Sequence, residues 1–315
     1  MDMVKRFVEI EVDDDGERIK LDVDEKTGCL TQNQPQSNNF KMFQGKKISH
    51  EKEIMNKHFG RYPTIYVDFS IVQPKNFEKA LSQLRVALHE AFRQHKYLRD
   101  NKFWDKRGSD KITFMKYYGS EESKLLTETE IESGLVFLSE VLYDYYEKKK
   151  VFVFIEEFDV PVNSLVYNDK ISLGDKEQTI KLLRLIVKRV LKGSERTVER
   201  SLSNACHHLA GILSDSANNV KVSRFLQKKS FAEFYGFEET EVKSLLEKAG
   251  LTEYFADVKK KYDGYTAKST CGEDIQIYSP WAILIYIEDK KLHNYWAARV
   301  PEVIKKQIGH FKDVR

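Results

Sequence analysis

The stretch VFVFIEEFD, residues 151–159, decides the fold of this chain. Its first five residues are all apolar and mostly β-branched or aromatic, which is typical of a buried strand in a parallel sheet. Glu156 and Glu157 follow directly, and Asp159 lies two residues further on. Ligands of open α/β sheets bind outside the carboxyl ends of the strands, so these acids are candidate functional residues. The stretch also fits a core strand whose polar end meets solvent, and alone it favours neither interpretation.

The segments before this stretch predict a parallel β-α-β unit. PTIYVDFS, residues 63–70, predicts a strand, and apolar residues at helical spacing predict a long amphipathic helix over 77–98. A second helix, marked by apolar positions from Ile131 to Leu142, leads into the 151–155 strand. Two strands joined through helices form a crossover, so we expect them to lie parallel in one sheet.

Two further patterns concern the flanking regions. Apolar alternation from Val8 to Val23 across Asp15-Gly16 predicts a hairpin. After residue 175 the pattern becomes mostly helical, and residues 181–192 place a basic face opposite an apolar stripe. The basic residues of this face are Lys181, Arg184, Lys188, Arg189 and Lys192. A face of this kind is more often a solvated surface, and the alternative is that it binds the phosphates of a nucleic acid.

The composition is that of an ordinary globular protein. Hydrophobic residues make up 41% of the 315, and 52 basic residues nearly balance 49 acidic ones to leave a net charge of +3. A net charge this small does not by itself indicate a nucleic-acid binder. Three widely spaced cysteines indicate a reducing compartment rather than a disulfide framework or a zinc site.

The N-terminal segment MDMVKRFVEI is charged and lacks the apolar centre of a signal peptide. No apolar run approaches the roughly 20 residues that span a membrane. We therefore expect an intracellular protein, cytoplasmic or nuclear, with no membrane partner.

The sequence lacks one part of a nucleotide-hydrolysing site. Acids at the end of a buried strand can hold Mg²⁺ and orient the attacking water in P-loop NTPases. Such a site also needs the glycine-rich loop G-x-x-x-x-G-K-[ST], whose backbone N–H groups surround the phosphates. No segment fits, because Lys47 follows Gly45-Lys46 and Phe40 occupies the earlier glycine position. The chain offers a candidate metal-and-water strand without a phosphate loop.

Five segments, in the same order, resemble the AAA-ATPase-like family of P-loop proteins. They are HFGRYPTIYVDFS (58–70), VFVFIEEFDVPV (151–162), FAEFYGFEETEVKSLL (231–246), KKYDGY (260–265) and YSPWAILIYI (278–287). The resemblance implies an α/β fold with a P-loop NTPase-like, three-layer parallel-sheet core over residues 1–220. It also implies a smaller helical, lid-like domain over residues 221–315. There we expect Tyr262, Tyr265, Trp281 and Trp296 to be buried packing residues.

The resemblance also implies roles for the acids. The family's Walker B strand usually ends in Asp-Glu, and Glu156-Glu157 occupies that position. Carried over by position, Glu156 would bind Mg²⁺ and Glu157 would orient the attacking water. The resemblance implies Mg-ATP as the cofactor, with binding that is weak or absent in this chain. Glutamate adds one methylene at the metal position, and a displacement of about 1 Å can cost roughly 10²-fold in rate. The segment 199–220 departs from the family pattern, so no sensor or arginine finger is assigned.

The start of the chain bears on its activity. In this family, a helix with the pattern of residues 1–10 follows directly after the phosphate loop, so the resemblance implies truncation just past that loop. The leading expectation is a hydrolysis-deficient relic that acts as a scaffold or interaction protein. One alternative is an active ATPase whose Walker A loop lies upstream of this chain. Another is a nucleic-acid-associated module without the nuclease-like domain that many members carry.

Overall fold

The computed structural model describes residues 1–13, 16–31, 34–166, 168–192, 194–204 and 229–295. The chain divides into two compact units, Met1–Asn219 and Val220–Arg315. Among the described residues, no helix combines the length and apolar character that crossing a bilayer requires.

The first unit contains helices around three parallel strands. The described helices are α1 (Asp2–Val8), α2 (Asn38–Phe43), α3 (Lys52–His58), α4 (Phe77–Arg93), α5 (Gly108–Tyr118), α6 (Glu128–Tyr145), α7 (Val160–Val166) and α8 (Leu173–Lys192). The strands are β1 (Thr64–Asp68), β2 (Val151–Glu156) and β3 (Val198–Ser203). Short 3₁₀ helices span Lys47–His50, Lys96–Leu98, Lys102–Lys106 and Glu122–Leu125.

The sheet has the order β1-β2-β3, and both strand pairs are parallel. Thr64 pairs with Phe152 at one end of the β1–β2 ladder, and Asp68 pairs with Glu156 at the other. The predicted parallel arrangement of the first two strands is therefore confirmed, with α4 in the crossover between them. The α/β architecture is compatible with a P-loop-like core.

The core lies on the sheet face from which Ile65, Val67, Val153 and Ile155 project, since alternate residues of a strand point to one side. All four side chains are buried. The apolar stripes of α4, α6 and α8 complete the same cluster through Leu84, Leu88, Leu135, Leu138, Leu183 and Ile186. Fully burying one such side chain stabilises the fold by about 1.5–3 kcal/mol, so this layer fixes the position of the strands.

Two helices of this layer begin where the sequence provides a cap. The Asn76 side chain accepts a hydrogen bond from the backbone N–H of Lys79 at the start of α4. At the start of α6, Thr127 and Glu130 form a reciprocal capping box. Each such cap contributes typically about 1 kcal/mol and fixes the first turn of its helix.

The predicted hairpin is present as an antiparallel bridge between Val12 and Arg18, supported by a 2.9 Å hydrogen bond from Asp13 N to Glu17 O. Gly16 has φ +86°, a conformation that glycine adopts without strain. A Cβ atom at this position would lie 2.2 Å from the Tyr97 side chain. Glycine is therefore required here both by the backbone and by the close approach of Tyr97.

The second unit, expected to be a helical domain, contains a small sheet as well as helices. Its described helices are α9 (Glu239–Lys248), α10 (Phe255–Tyr262) and α11 (Pro280–Asp289), besides 3₁₀ turns at Lys229–Phe234 and Thr252–Tyr254. Three antiparallel strands, β4 (Phe237–Glu238), β5 (Asp263–Lys268) and β6 (Asp274–Tyr278), form a sheet in the order β4-β6-β5. The short alternation Ile275-x-Ile277 behind the Gly272 turn was the missed strand signal.

The aromatic residues of this unit also differ from expectation. Tyr265 is 36% exposed and Trp281 is 42% exposed, so the prediction that they are buried was wrong. Tyr265 lies on a sheet edge strand, and Trp281 opens α11 with its side chain on the outer face. Tyr262 is partly buried against the small core of the unit, and Trp296 lies outside the described residues.

Candidate functional site at the carboxyl ends of the strands

The parallel sheet brings Asp68 and Glu156 together. Because β1 and β2 run in the same direction and end in register at these two residues, both acids lie at the same edge of the sheet. Register partners in a parallel pair point to the same face, which is also the face of Tyr66. The Tyr66 hydroxyl donates a hydrogen bond to Oε2 of Glu156. The metal-side candidate Glu156 is therefore held by a residue of the neighbouring strand.

The chemistry of Tyr66 keeps this bond in place. Burial and, after it, the Glu156 carboxylate raise the pKa of Tyr66 well above its usual value. The hydroxyl therefore stays protonated and remains a donor at every physiological pH. Only Oε2 of Glu156 is used by Tyr66, which leaves Oε1 for another partner.

Asp68 is occupied by its own turn. Its Oδ1 accepts a 2.8 Å hydrogen bond from the backbone N–H of Ser70, and its Oδ2 accepts a 2.9 Å bond from the Ser70 hydroxyl. Asp68 shapes the chain as it leaves β1 and adds negative charge to the edge.

Glu157 occupies a turn with unusual backbone geometry. Its φ is +54°, in the left-handed region, which costs on the order of 1 kcal/mol for a residue with a side chain. Partial burial and the nearby charges of Asp159, Asp68 and Glu156 raise the pKa of Glu157. A cation at this edge would relieve that crowding.

Asp159, one of the candidate functional acids, has a structural role at the start of a helix. It is fully buried immediately before α7, and its backbone carbonyl accepts the first helical bond, from Asn163 N at 2.8 Å. Its Oδ2 accepts a further 2.8 Å bond from the Asn163 amide. Asp159 therefore starts the helix that follows the acidic turn.

Comparison with known families covers all of this edge. Residues 29–221 match the family described as predicted AAA-ATPase. The chain belongs to the predicted AAA-ATPase family. No curated protein and no solved structure matches it. The matched range contains the three parallel strands and every acid described above, so the resemblance drawn from the sequence is confirmed.

The side chains at this edge can be compared with the ligands that Mg²⁺ prefers. Mg²⁺ prefers hard oxygen ligands and is usually bound by one or two carboxylates together with substrate phosphates and water. Glu156 and Glu157 provide such carboxylates at the edge, and they fit the ion by their chemistry. Within the described part of the chain, no group of three His, Cys, Asp or Glu side chains is arranged to hold a metal. The residues therefore fit a site that phosphate and water complete, and not an all-protein cage.

The basic face predicted for residues 181–192 lies on α8 and is partly ion-paired within the protein. Lys181, Arg184 and Lys188 are exposed, while Arg189 forms a 3.1 Å ion pair with Glu132 on α6. The side chain of Lys192 lies outside the described residues. Part of the predicted basic face is thus neutralised within the protein.

Sequence reasoning missed Tyr66, which bonds the Glu156 carboxylate, and Asn204, whose side-chain Oδ1 accepts a 2.9 Å hydrogen bond from the backbone N–H of Glu157. Tyr66 lies two residues before the end of β1, so the strand alternation could have placed it on the face of Glu156. Asn204 directly follows β3, whose sequence VERSLS has only two apolar residues. Because that strand carries little apolar signal, its end could not be located and Asn204 could not be found.

Proposed function

We propose that this chain is a nucleotide-hydrolysis-deficient AAA-ATPase-like protein that acts as a scaffold or interaction protein. Its α/β core would span residues 1–220 as a three-layer P-loop NTPase-like fold, with residues 221–315 as a lid-like domain. The observation that supports a nucleotide site is the pair Glu156-Glu157 at the end of the central strand, with Glu156 bonded to Tyr66. An intracellular location is part of the same proposal.

The acidic edge would supply the metal side of the site. Glu156 would hold Mg²⁺ through Oε1 while Tyr66 orients the carboxylate, and Glu157 would orient the attacking water. When bound, Mg²⁺ would neutralise charge on the phosphates and so allow them to approach the acids. Without it, the acids would repel a triphosphate.

The phosphate side of the site is weak in these 315 residues. The loop G-x-x-x-x-G-K-[ST] supplies backbone donors and a lysine to the β- and γ-phosphates, and the sequence contains no such motif. Phosphoryl transfer depends almost wholly on positioning and charge stabilisation. We therefore expect weak Mg-ATP binding at best and no meaningful turnover by this chain alone.

A second candidate is an active ATPase whose loop lies upstream of Met1. The same acids support it, since the proposed roles of Glu156 and Glu157 are those of a working enzyme. The two candidates differ in whether added loop sequence restores hydrolysis.

The test is calorimetric titration of the purified 315-residue chain with Mg-ATP, together with a phosphate-release assay. We expect no turnover and binding weaker than micromolar. Micromolar binding with turnover that is abolished by Glu157→Gln and retained by Glu147→Gln would overturn the proposal. Glu147 is a matched control because it is exposed and also has a positive φ. Recovery of turnover on adding upstream loop sequence would support the active ATPase instead.

A further inference from the structure

Asn204 makes three hydrogen bonds to the end of the neighbouring strand β2. Its backbone N–H donates to Ile155 O at 3.2 Å, and its own carbonyl accepts from Phe158 N at 3.2 Å. Its side-chain Oδ1 accepts from Glu157 N at 2.9 Å. One residue thus binds the chain before, at and after Glu157.

The Glu157 bond is the one that depends on the side chain. The two backbone bonds continue the β2–β3 ladder and could be made by any residue at position 204. The N–H of Glu157 donates to the side chain of Asn204, whose backbone carbonyl is taken by Phe158 N. The amide oxygen of asparagine provides this acceptor, and an apolar side chain at position 204 would not.

The turn that this bond closes is one that the local charges oppose. Glu157 lies near the like charges of Asp159, Asp68 and Glu156, and its backbone is in a conformation that residues with a side chain rarely adopt. Both effects favour rearrangement of the turn. A conformation of this kind persists only where surrounding bonds over-determine it.

We propose that Asn204 is a positioning residue for Glu157: its Oδ1 holds the left-handed turn that keeps the Glu157 carboxylate beside Glu156 at the edge of the sheet. This inference rests on the proposed nucleotide site. Asn204 does not touch substrate in this role, since it acts through the backbone N–H of Glu157.

The test compares a variant that removes the side-chain acceptor with one that keeps it. Asn204→Leu removes the acceptor, and Asn204→Asp keeps it. In the full chain, amide hydrogen exchange followed by NMR should become about tenfold faster at Glu157 in the leucine variant, the effect of losing one backbone hydrogen bond. Asn204→Asp keeps the acceptor but adds one more negative charge, so exchange at Glu157 should be slower than in Asn204→Leu. Asn101→Leu is the matched control, because Asn101 Oδ1 accepts a bond of the same 2.9 Å length from Phe103 N. It should speed exchange at Phe103 and leave Glu157 unchanged.

Mn²⁺, a paramagnetic substitute for Mg²⁺, separates a positioning role from a structural one. In the unaltered chain, Mn²⁺ should broaden the amide signals of residues 156–158. Asn204→Leu should require about tenfold more Mn²⁺ for equal broadening, and Asn204→Asp should need no more than the unaltered chain. Unchanged exchange at Glu157, or unchanged Mn²⁺ response despite faster exchange, would overturn the inference. No broadening in the unaltered chain would instead overturn the proposed nucleotide site and the positioning role with it.

Discussion

Two groups of polar side chains in the first unit have shifted pKa values, with burial as the first cause in both, and they differ in the charges that surround them. At the carboxyl edge of the sheet, partly exposed carboxylates are crowded around Glu157. Where α6 ends before β2, His95, Tyr97 and Tyr146 are linked by hydrogen bonds of 2.9 Å each. His95 and Tyr146 are buried, and burial is the first cause of every shift in this second group.

The two groups differ in the surroundings that indicate function. The His95-Tyr97-Tyr146 group is neutral and packed, and its atoms are hydrogen-bonded to one another except for His95 Nε2, which is buried without a partner. A buried network of this kind specifies a core. The acidic edge collects like charges and a strained backbone, which destabilise the fold unless a ligand uses them. Perturbed pKa values cluster at functional sites but also occur in structural networks, so the like charges and the backbone strain around Glu157, rather than the shift itself, carry the distinction.

The largest expected loss of stability comes from a substitution in the packed His95-Tyr97-Tyr146 group. Tyr146→Ala should lower the free energy of unfolding by about 4 kcal/mol, because it removes a large buried ring. The ring also stacks under the Arg18 guanidinium at 4.5 Å. Tyr146→Phe, which loses only the hydroxyl, should cost about 1 kcal/mol. Denaturant unfolding measures both, and Glu156→Ala at the acidic edge serves as the comparison.

Glu156→Ala should cost far less than Tyr146→Ala, because Glu156 is partly exposed and its removal relieves repulsion at the edge. If Glu156→Ala proved as destabilising as Tyr146→Ala, the acids would be structural, and the contrast between the two groups would fail.

The sequence could predict the two central strands and the edge where their acids meet. Buried apolar runs give a direct signal for β1 and β2, and the parallel crossover rule places Asp68 and Glu156 at one edge. The bonds from Tyr66 and Asn204 join residues far apart in the chain, so no local pattern reports them. The second-unit sheet was missed because its strands are short and bear few apolar residues.

The second prediction uses pH to separate the groups. Burial and, after it, the charge of Lys5 lower the pKa of His95 to about 3. His95 therefore takes up a proton near pH 6.5 in the unfolded chain, whereas in the folded protein it stays neutral until the pH approaches 3. The contribution of neutral His95 to the free energy of unfolding is fully present above pH 6.5 and is lost as the pH falls towards 3. Between pH 7 and pH 5 the loss should be about 2 kcal/mol, from roughly 1.4 kcal/mol per pH unit below pH 6.5.

His95→Phe should flatten this part of the stability curve, measured by denaturant unfolding at several pH values. The effect of Glu157 on the free energy of unfolding should change with pH in the opposite direction. Its pKa is raised in the folded protein, so its contribution is present below the ordinary glutamate pKa and is lost as the pH rises through the folded value. Glu157→Gln should therefore stabilise the protein at pH 7 and leave its stability unchanged at pH 3. An unaltered slope in His95→Phe would show that His95 is accessible to protons in the folded state.

The smallest expected effect sharpens the role of strain at the acidic edge. Glu157→Gly removes both the left-handed strain and one of the crowded charges, while glycine adds entropy to the unfolded chain. The net result should be a gain of about 0.5–1 kcal/mol in the free energy of unfolding. Glu147→Gly is the matched control, since Glu147 has φ +57° but lies in an exposed turn where Arg18 is its ion-pair partner at 3.8 Å. Its gain should be smaller, because no crowding of like charges is relieved there. A functional site commonly keeps such a destabilising residue, because the activity that depends on it is lost when stability is optimised. If Glu157→Gly were instead destabilising while Glu147→Gly was not, the Glu157 side chain would be contributing to the fold, and the acidic edge would belong with the packed group.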